Sequence, residues 1–244
     1  MKARSLIAAL AGAALVVLPA AGALSQRNTS EQRGGERRSN GPEGRNWMET
    51  AVRTPEGGFR VGNPNARIKV VEYLSLTCPH CAEFAHEAGE RLFQTHVRSG
   101  RVSVEYRNYV LNAYDLAAAF VTRCTSPREY FLMSHELLGT QPRWMGRMQG
   151  LTDAQRAELR GLAPLQAMQR IVAMLGLDAI AARHGLTAAG QRTCLADQAA
   201  LDRIGTMKQE ADAAGVRGTP TFFINGQMAQ ANTWAAIEPL LRGH

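Results

Sequence analysis

The sequence predicts an α/β protein, built from a strand–helix–strand unit, a long helical stretch, and a closing hairpin with a last helix. Three observations carry this. Ile68–Leu74 (Ile-Lys-Val-Val-Glu-Tyr-Leu) is a β-branched run with the length of a buried strand. Apolar residues then recur at helical spacing (Phe84, Ala85, Ala88, Leu92, Val97), and residues 101–107 alternate like a second strand. Finally, residues 112 to about 215 are helical in pattern before strand character returns at Thr219-Pro220-Thr221-Phe222-Phe223-Ile224.

The order along the chain begins with an export signal, expected over residues 1–23. Lys2 and Arg4 form a positive start, residues 6–18 are uninterrupted apolar or small residues, Pro19 breaks the run, and Ala21-Gly22-Ala23 offers a small-x-small cleavage site. An uncleaved anchor is the alternative, made poorer by the Ala and Gly content of the segment. Residues 24–46 are rich in Arg, Gly, Ser, Asn and Glu, too polar to offset their ordering entropy, and read as a disordered basic linker. Order is expected from Trp47, so the folded body spans 47–244.

Phe59-Arg60-Val61 is a short strand candidate, and Gly62-Asn63-Pro64-Asn65 a turn before the Ile68–Leu74 strand. Pro79 suits the first turn of the next helix, where its missing N–H leaves nothing unpaired. Ser99-Gly100 stops that helix. Within the helical stretch, Thr152-Asp153-Ala154-Gln155 has the form of a capping box. Asn225-Gly226 is a strong type I′ turn between residues 219–224 and a partner strand at 227–230, and Asn232-Thr233-Trp234 opens a last helix to Leu241.

Charge excludes one function class. The chain is +7, but residues 1–46 carry seven Lys/Arg against three Glu and so account for +4 of it. The remaining body has no long basic run and no nucleic-acid signature.

The chemistry concentrates at Cys78-Pro79-His80-Cys81. Two cysteines at i and i+3 on a helix start can close a small disulfide. The first faces unpaired backbone N–H groups and the positive end of the helix dipole, both of which stabilise a thiolate. Cys78 is therefore expected to be the exposed nucleophile and Cys81, one turn further in, the shielded resolving thiol. A protonated His80 would add positive charge beside the sulfur and an N–H able to bond it. A zinc site remains an alternative reading of a CxxC, but Cys124 and Cys194 stand alone, 70 residues apart. Haem attachment fails because Ala82 follows Cys81. In an oxidising compartment four cysteines fit two pairs.

These residues give a resemblance to the DsbA-like branch of the thioredoxin superfamily, covering most of residues 57–242. It rests on residues 70–81 with Cys-Pro-His-Cys intact, on residues 218–226 as the cis-proline loop and following hairpin, and on the helical stretch between them. The resemblance implies an α/β thioredoxin fold with an inserted α-helical domain at about 112–198. It makes Pro220 the cis-proline and lets the Thr219 backbone pair with an extended substrate segment beside Cys78. It makes Glu72 a buried acid with a raised pKa that exchanges protons with Cys81. It implies a structural disulfide between Cys124 and Cys194, which some members carry. The implied activity is thiol–disulfide exchange that oxidises reduced exported proteins in the periplasm. The enzyme would be a monomer, reoxidised by a quinone-linked DsbB-like membrane protein, with no metal or organic cofactor. An isomerase or reductase kept reduced by a membrane donor, and a non-catalytic chaperone using an apolar groove, are the rivals. His86, His96, His135 and His184 lack spaced partners and read as surface or structural; Met145 and Met148, with Trp144, could line an apolar peptide-binding surface, but the methionine scatter reads better as core or solvent face.

Overall fold

The computed structural model describes residues 45–242. The expected export signal and all but the last two residues of the expected linker lie outside them. Of those two, Arg45 sets its guanidinium 4.5 Å from the centre of the Trp47 ring, and Asn46 caps the 3-10 turn Trp47–Glu49 by accepting the Met48 N–H.

Six strands form one mixed sheet: β1 (Ala51–Arg53), β2 (Phe59–Gly62), β3 (Ile68–Leu74), β4 (Val102–Asn108), β5 (Thr221–Ile224) and β6 (Gln227–Met228), in the order β1-β2-β4-β3-β5-β6. Only β3 and β4 are paired in parallel, and the chain between them is helical, as a parallel pair requires. β3 is central and has five of its seven residues buried, which is why it reads as a continuous apolar run. β1 has no counterpart in the sequence reading. It is a three-residue edge strand without periodicity, folded onto β2 by a turn in which the Thr54 N–H donates to Gly58 O at 2.9 Å.

Helix α1 (Pro79–Glu90) follows β3 and runs on through a widened π-helical segment, Arg91–Val97. Phe84, Ala88, Leu92 and Val97 are buried as the spacing requires, while Ala85 is half-buried. A helical block follows: α2 (Ala113–Arg123), α3 (Pro127–Gly139), α4 (Gln141–Gln149), α5 (Asp153–Gly161), α6 (Pro164–Leu175), α7 (Leu177–Arg183) and α8 (Ala188–Cys194). Its boundaries are set locally. Ser126 caps α3, and Thr152 and Gln155 form the capping box of α5. Gly176, with φ of 68°, separates α6 from α7; a Cβ there would collide with the Arg147 guanidinium, which bonds Leu175 O at 2.9 Å.

α9 (Gln198–Ala213) returns to the sheet. Tyr73, Tyr109, Ala211 and Val216 make a small second core there. α10 (Trp234–Ile237) and the turn Glu238–Leu241 close the other face, where Phe84 packs against Phe222 and Trp234. The last helix is thus shorter than expected, and its final turn tightens to 3-10. The hairpin turn carries Asn225 and Gly226 at φ of 49° and 84°, the two positive values a type I′ turn needs. Cys124, at the end of α2, and Cys194, at the end of α8, are joined in a disulfide that closes the helical block on itself.

Candidate active site

β3 ends at Leu74, and a three-residue connector delivers the chain to Cys78, the N-cap of α1 with φ −80° and ψ 120°. Pro79 takes the first helical position. Cys78 and Cys81 are both free thiols, so this is the dithiol form. Cys81 is fully buried. Cys78 is 6% exposed, which corrects the expectation of an open nucleophile: the Thr219–Pro220 loop lies over it. The Thr219–Pro220 peptide is cis, and Cys78 Sγ donates to Thr219 O at 3.2 Å.

The two sulfurs differ sharply. The Cys81 thiol, the Thr219 side chain and the backbone N–H groups of Cys81 and His80 bond the Cys78 thiolate and hold its pKa at about 5, against the opposing pull of burial. The Thr219 hydroxyl is buried with no partner in the dithiol form, so it is free to donate when the proton leaves. Cys81 is pushed the other way. Burial, its bond to Cys78 and the negative charges of Glu72 and Cys78 hold it well above an ordinary thiol.

His80 departs from the sequence expectation. Its imidazole points to solvent, with Nδ1 3.5 Å from Glu83 Oε2. What it contributes to the Cys78 thiolate is its backbone N–H. An i,i+3 carboxylate on the same exposed turn is the competing partner that turns the ring away.

Glu72 lies in the middle of β3, paired across the ladder with Tyr106 on β4 and Phe222 on β5, and is 2% exposed. Burial, then the Cys78 charge, pushes its carboxyl up to about 8, and Oε2 has no hydrogen-bond partner. It is therefore a neutral, proton-bearing acid at pH 7, and its negative charge bears on Cys81 at the higher pH where both would ionise.

Three residues of the helical block reach this site and were not singled out from sequence. Asn112 Nδ2 donates to Thr77 Oγ1 at 3.1 Å and the same side chain caps α2. Asp115, buried and raised to about 6 by that burial, accepts the N–H of Leu76 at 2.9 Å and of Leu111 at 3.0 Å. Gln141 donates to the carbonyls of Leu76 and Cys78 at 2.9 and 3.0 Å. An N-cap signal marks Asn112 in the sequence. Nothing local marks Gln141.

The remaining candidates fall elsewhere. Trp144 is core, 2% exposed, with Nε1 bonded to Leu137 O at 2.8 Å, and Met145 and Met148 are half-buried against the same core. His135 is half-buried, its Nε2 2.9 Å from the Tyr106 hydroxyl, and desolvation lowers it to about 4. His184 bridges Glu129 and Glu136 at 2.9 Å each. His96 is buried beside Arg101, and His86 is exposed. Among the described residues no cluster of His, Cys, Asp or Glu could hold a metal ion, and no single helix is long and apolar enough to cross a membrane.

A solved protein-disulfide isomerase from Novosphingobium aromaticivorans superposes with a TM-score of 0.69 at 30% identity, covering 75% of this chain and 94% of that one. Wolbachia pipientis alpha-DsbA1 shares the fold, with a TM-score of 0.61 at 21% identity over 80% of this chain and 94% of that one. A candidate protein-disulfide oxidoreductase of Rickettsia bellii is 25% identical over 181 residues, 73% of this chain and 61% of that protein. The chain spans between 53% and 61% of the length of the curated relatives it matches. A family model described as thioredoxin matches residues 54–242. With that match spanning most of its length, the chain belongs to the thioredoxin family.

Proposed function

We propose that this protein is a thiol–disulfide oxidoreductase that introduces disulfides into reduced exported proteins through Cys78 and Cys81. The observation that carries this reading is the opposed tuning of the two sulfurs, with Cys78 held at about 5 and Cys81 driven well above an ordinary thiol. A stabilised Cys78 thiolate favours the dithiol over the disulfide, which makes the disulfide form an oxidant.

In the oxidising direction, a substrate thiolate attacks Cys78 Sγ of the Cys78–Cys81 disulfide. A substrate–Cys78 disulfide forms, the Cys78–Cys81 bond breaks, and Cys81 leaves as a thiolate. That thiolate is buried and basic, and the neutral Glu72 carboxyl, whose ionisation Cys81 senses, would give it a proton. A second substrate thiolate then attacks the substrate sulfur of the mixed disulfide. Cys78 leaves as the stable thiolate. The substrate has lost two electrons and two thiol protons; the enzyme has gained the electrons as a dithiol. The Thr219 backbone beside cis-Pro220 would pair with the extended substrate segment, as in strand addition. Reoxidation falls to a quinone-linked DsbB-like membrane protein, and the site of action is the periplasm, reached by a cleaved signal within residues 1–23. No metal or organic cofactor is needed, and the enzyme acts as a monomer.

The 30% identical relative described as a protein-disulfide isomerase favours a second reading, in which the pair is kept reduced and reshuffles wrong disulfides. Trapping free thiols in living cells separates the two. The oxidase reading expects Cys78 and Cys81 mainly disulfide-bonded at steady state; a mainly reduced pair would overturn it in favour of the isomerase.

A further inference from the structure

Leu76 is fully buried, two residues before Cys78, in the connector that belongs to neither β3 nor α1. Both polar atoms of its peptide are held by side chains of the helical block. Its N–H donates to Asp115 Oδ1 and its carbonyl accepts from Gln141 Nε2, each at 2.9 Å. Among the described residues neither atom has a backbone partner. The Gln141 amide uses its second hydrogen on Cys78 O at 3.0 Å, a carbonyl that also accepts the Ala82 N–H at 3.2 Å. Asp115 is 1% exposed and Gln141 5% exposed, so both bonds are made out of water.

We propose that Asp115 and Gln141 are positioning residues through which the helical block sets the reactivity of Cys78. Cys78 is an N-cap with extended backbone, and how its sulfur faces the first-turn N–H groups of His80 and Cys81, which would steady a thiolate, depends on its ψ. Gln141 fixes the carbonyl side of that torsion directly. Asp115 and Gln141 together fix the peptide two residues upstream. A buried carbonyl or N–H stripped of its partner is expensive to leave in place, so losing either side chain moves the connector and turns the sulfur away from its donors. The inference rests on the reading of Cys78 as the reactive thiol.

The test uses Gln141→Met, which keeps length and burial while removing the donor, and Asp115→Asn, which keeps shape while removing one acceptor. Gln149→Ala, at the exposed end of α4, is the control. Two quantities are read: the thiolate absorbance of the reduced protein against pH, and its dithiol–disulfide equilibrium with glutathione. Each positioning variant should raise the Cys78 midpoint by ~1 pH unit and shift the equilibrium about tenfold toward the disulfide, while the control moves neither. Variants that fold and keep the parent's midpoint and equilibrium would overturn the proposal. If Gln141→Met does not fold, Asp115→Asn decides alone. A parent midpoint near the free-thiol value of about 8.5 would instead overturn the reading of Cys78 on which the proposal stands.

Discussion

The molecule holds two pairs of cysteines in opposite circumstances. Cys124 and Cys194 are 70 residues apart, at the ends of two helices, and are bonded. Cys78 and Cys81 are three residues apart on one helix start and are free. The distant pair closes a long loop, which is where a bond removes most disorder from the unfolded chain. The near pair closes almost none. It sits instead where backbone donors, a buried acid and a loop hydroxyl treat its two sulfurs unequally. Sequence separation thus divides a bond that stabilises from a bond that can be exchanged, and the surroundings decide which sulfur of the second is attacked.

The comparison breaks most visibly by removing single thiols. Cys78→Ser should lower the rate of substrate oxidation by at least about a thousandfold, since the attacked sulfur is gone. Cys81→Ser should let mixed disulfides accumulate, seen as substrate-sized shifts on non-reducing gels. Equal activity in both variants would dissolve the division of roles. Replacing Cys124 and Cys194 together by Ala should cost about 4 kcal/mol of stability in urea unfolding, by the loop-entropy argument, and leave the Cys78 thiolate midpoint where it was. A large change in that midpoint would mean that the two pairs are not independent.

Glu72 sharpens the electrostatic half. Its folded-state pKa of about 8 lies above the ordinary 4.5, so the folded protein keeps a proton that the unfolded chain has released. Stability should therefore fall as pH rises through that window. Glu72→Gln should remove this slope and unfold later than the parent at pH 8, by about 1–3 kcal/mol once burial of the amide is set against it. It should also slow exchange, because Cys81 loses its proton source. An unchanged exchange rate would remove Glu72 from the mechanism.

The other half of the electrostatic contrast is the pH dependence of the dithiol's advantage over the disulfide. Cys78 is depressed from 9.0 to about 5, so the thiolate stabilises the reduced fold most above the ordinary thiol value. That advantage should shrink as pH falls from 9 and vanish below about 5. Paired unfolding curves of reduced and oxidised protein measure it.

Much of this contrast is legible in the sequence, for local reasons. The β-branched run at 68–74, the Pro after Cys78 and the Asn225-Gly226 turn act within a few residues, and each stands where the pattern puts it. What the sequence hides is long-range. Gln141 meets Leu76 and Cys78 across 65 and 63 residues, and Asp115 meets Leu76 across 39. Neither residue belongs to a motif. The turning of His80 toward Glu83 and the covering of Cys78 by the Thr219 loop are choices between partners that only packing decides. Trp144 is fixed as core only once α3 is seen to take its Nε1 on Leu137 O.

The inequality of Cys78 and Cys81 is the centre of the account, and alkylation of the reduced protein over a range of pH, mapped by mass spectrometry, tests it most directly. Cys78 should be modified with a midpoint near pH 5 and Cys81 should resist modification through pH 9. Two thiols reacting together near the ordinary thiol pKa, or Cys81 reacting first, would contradict it.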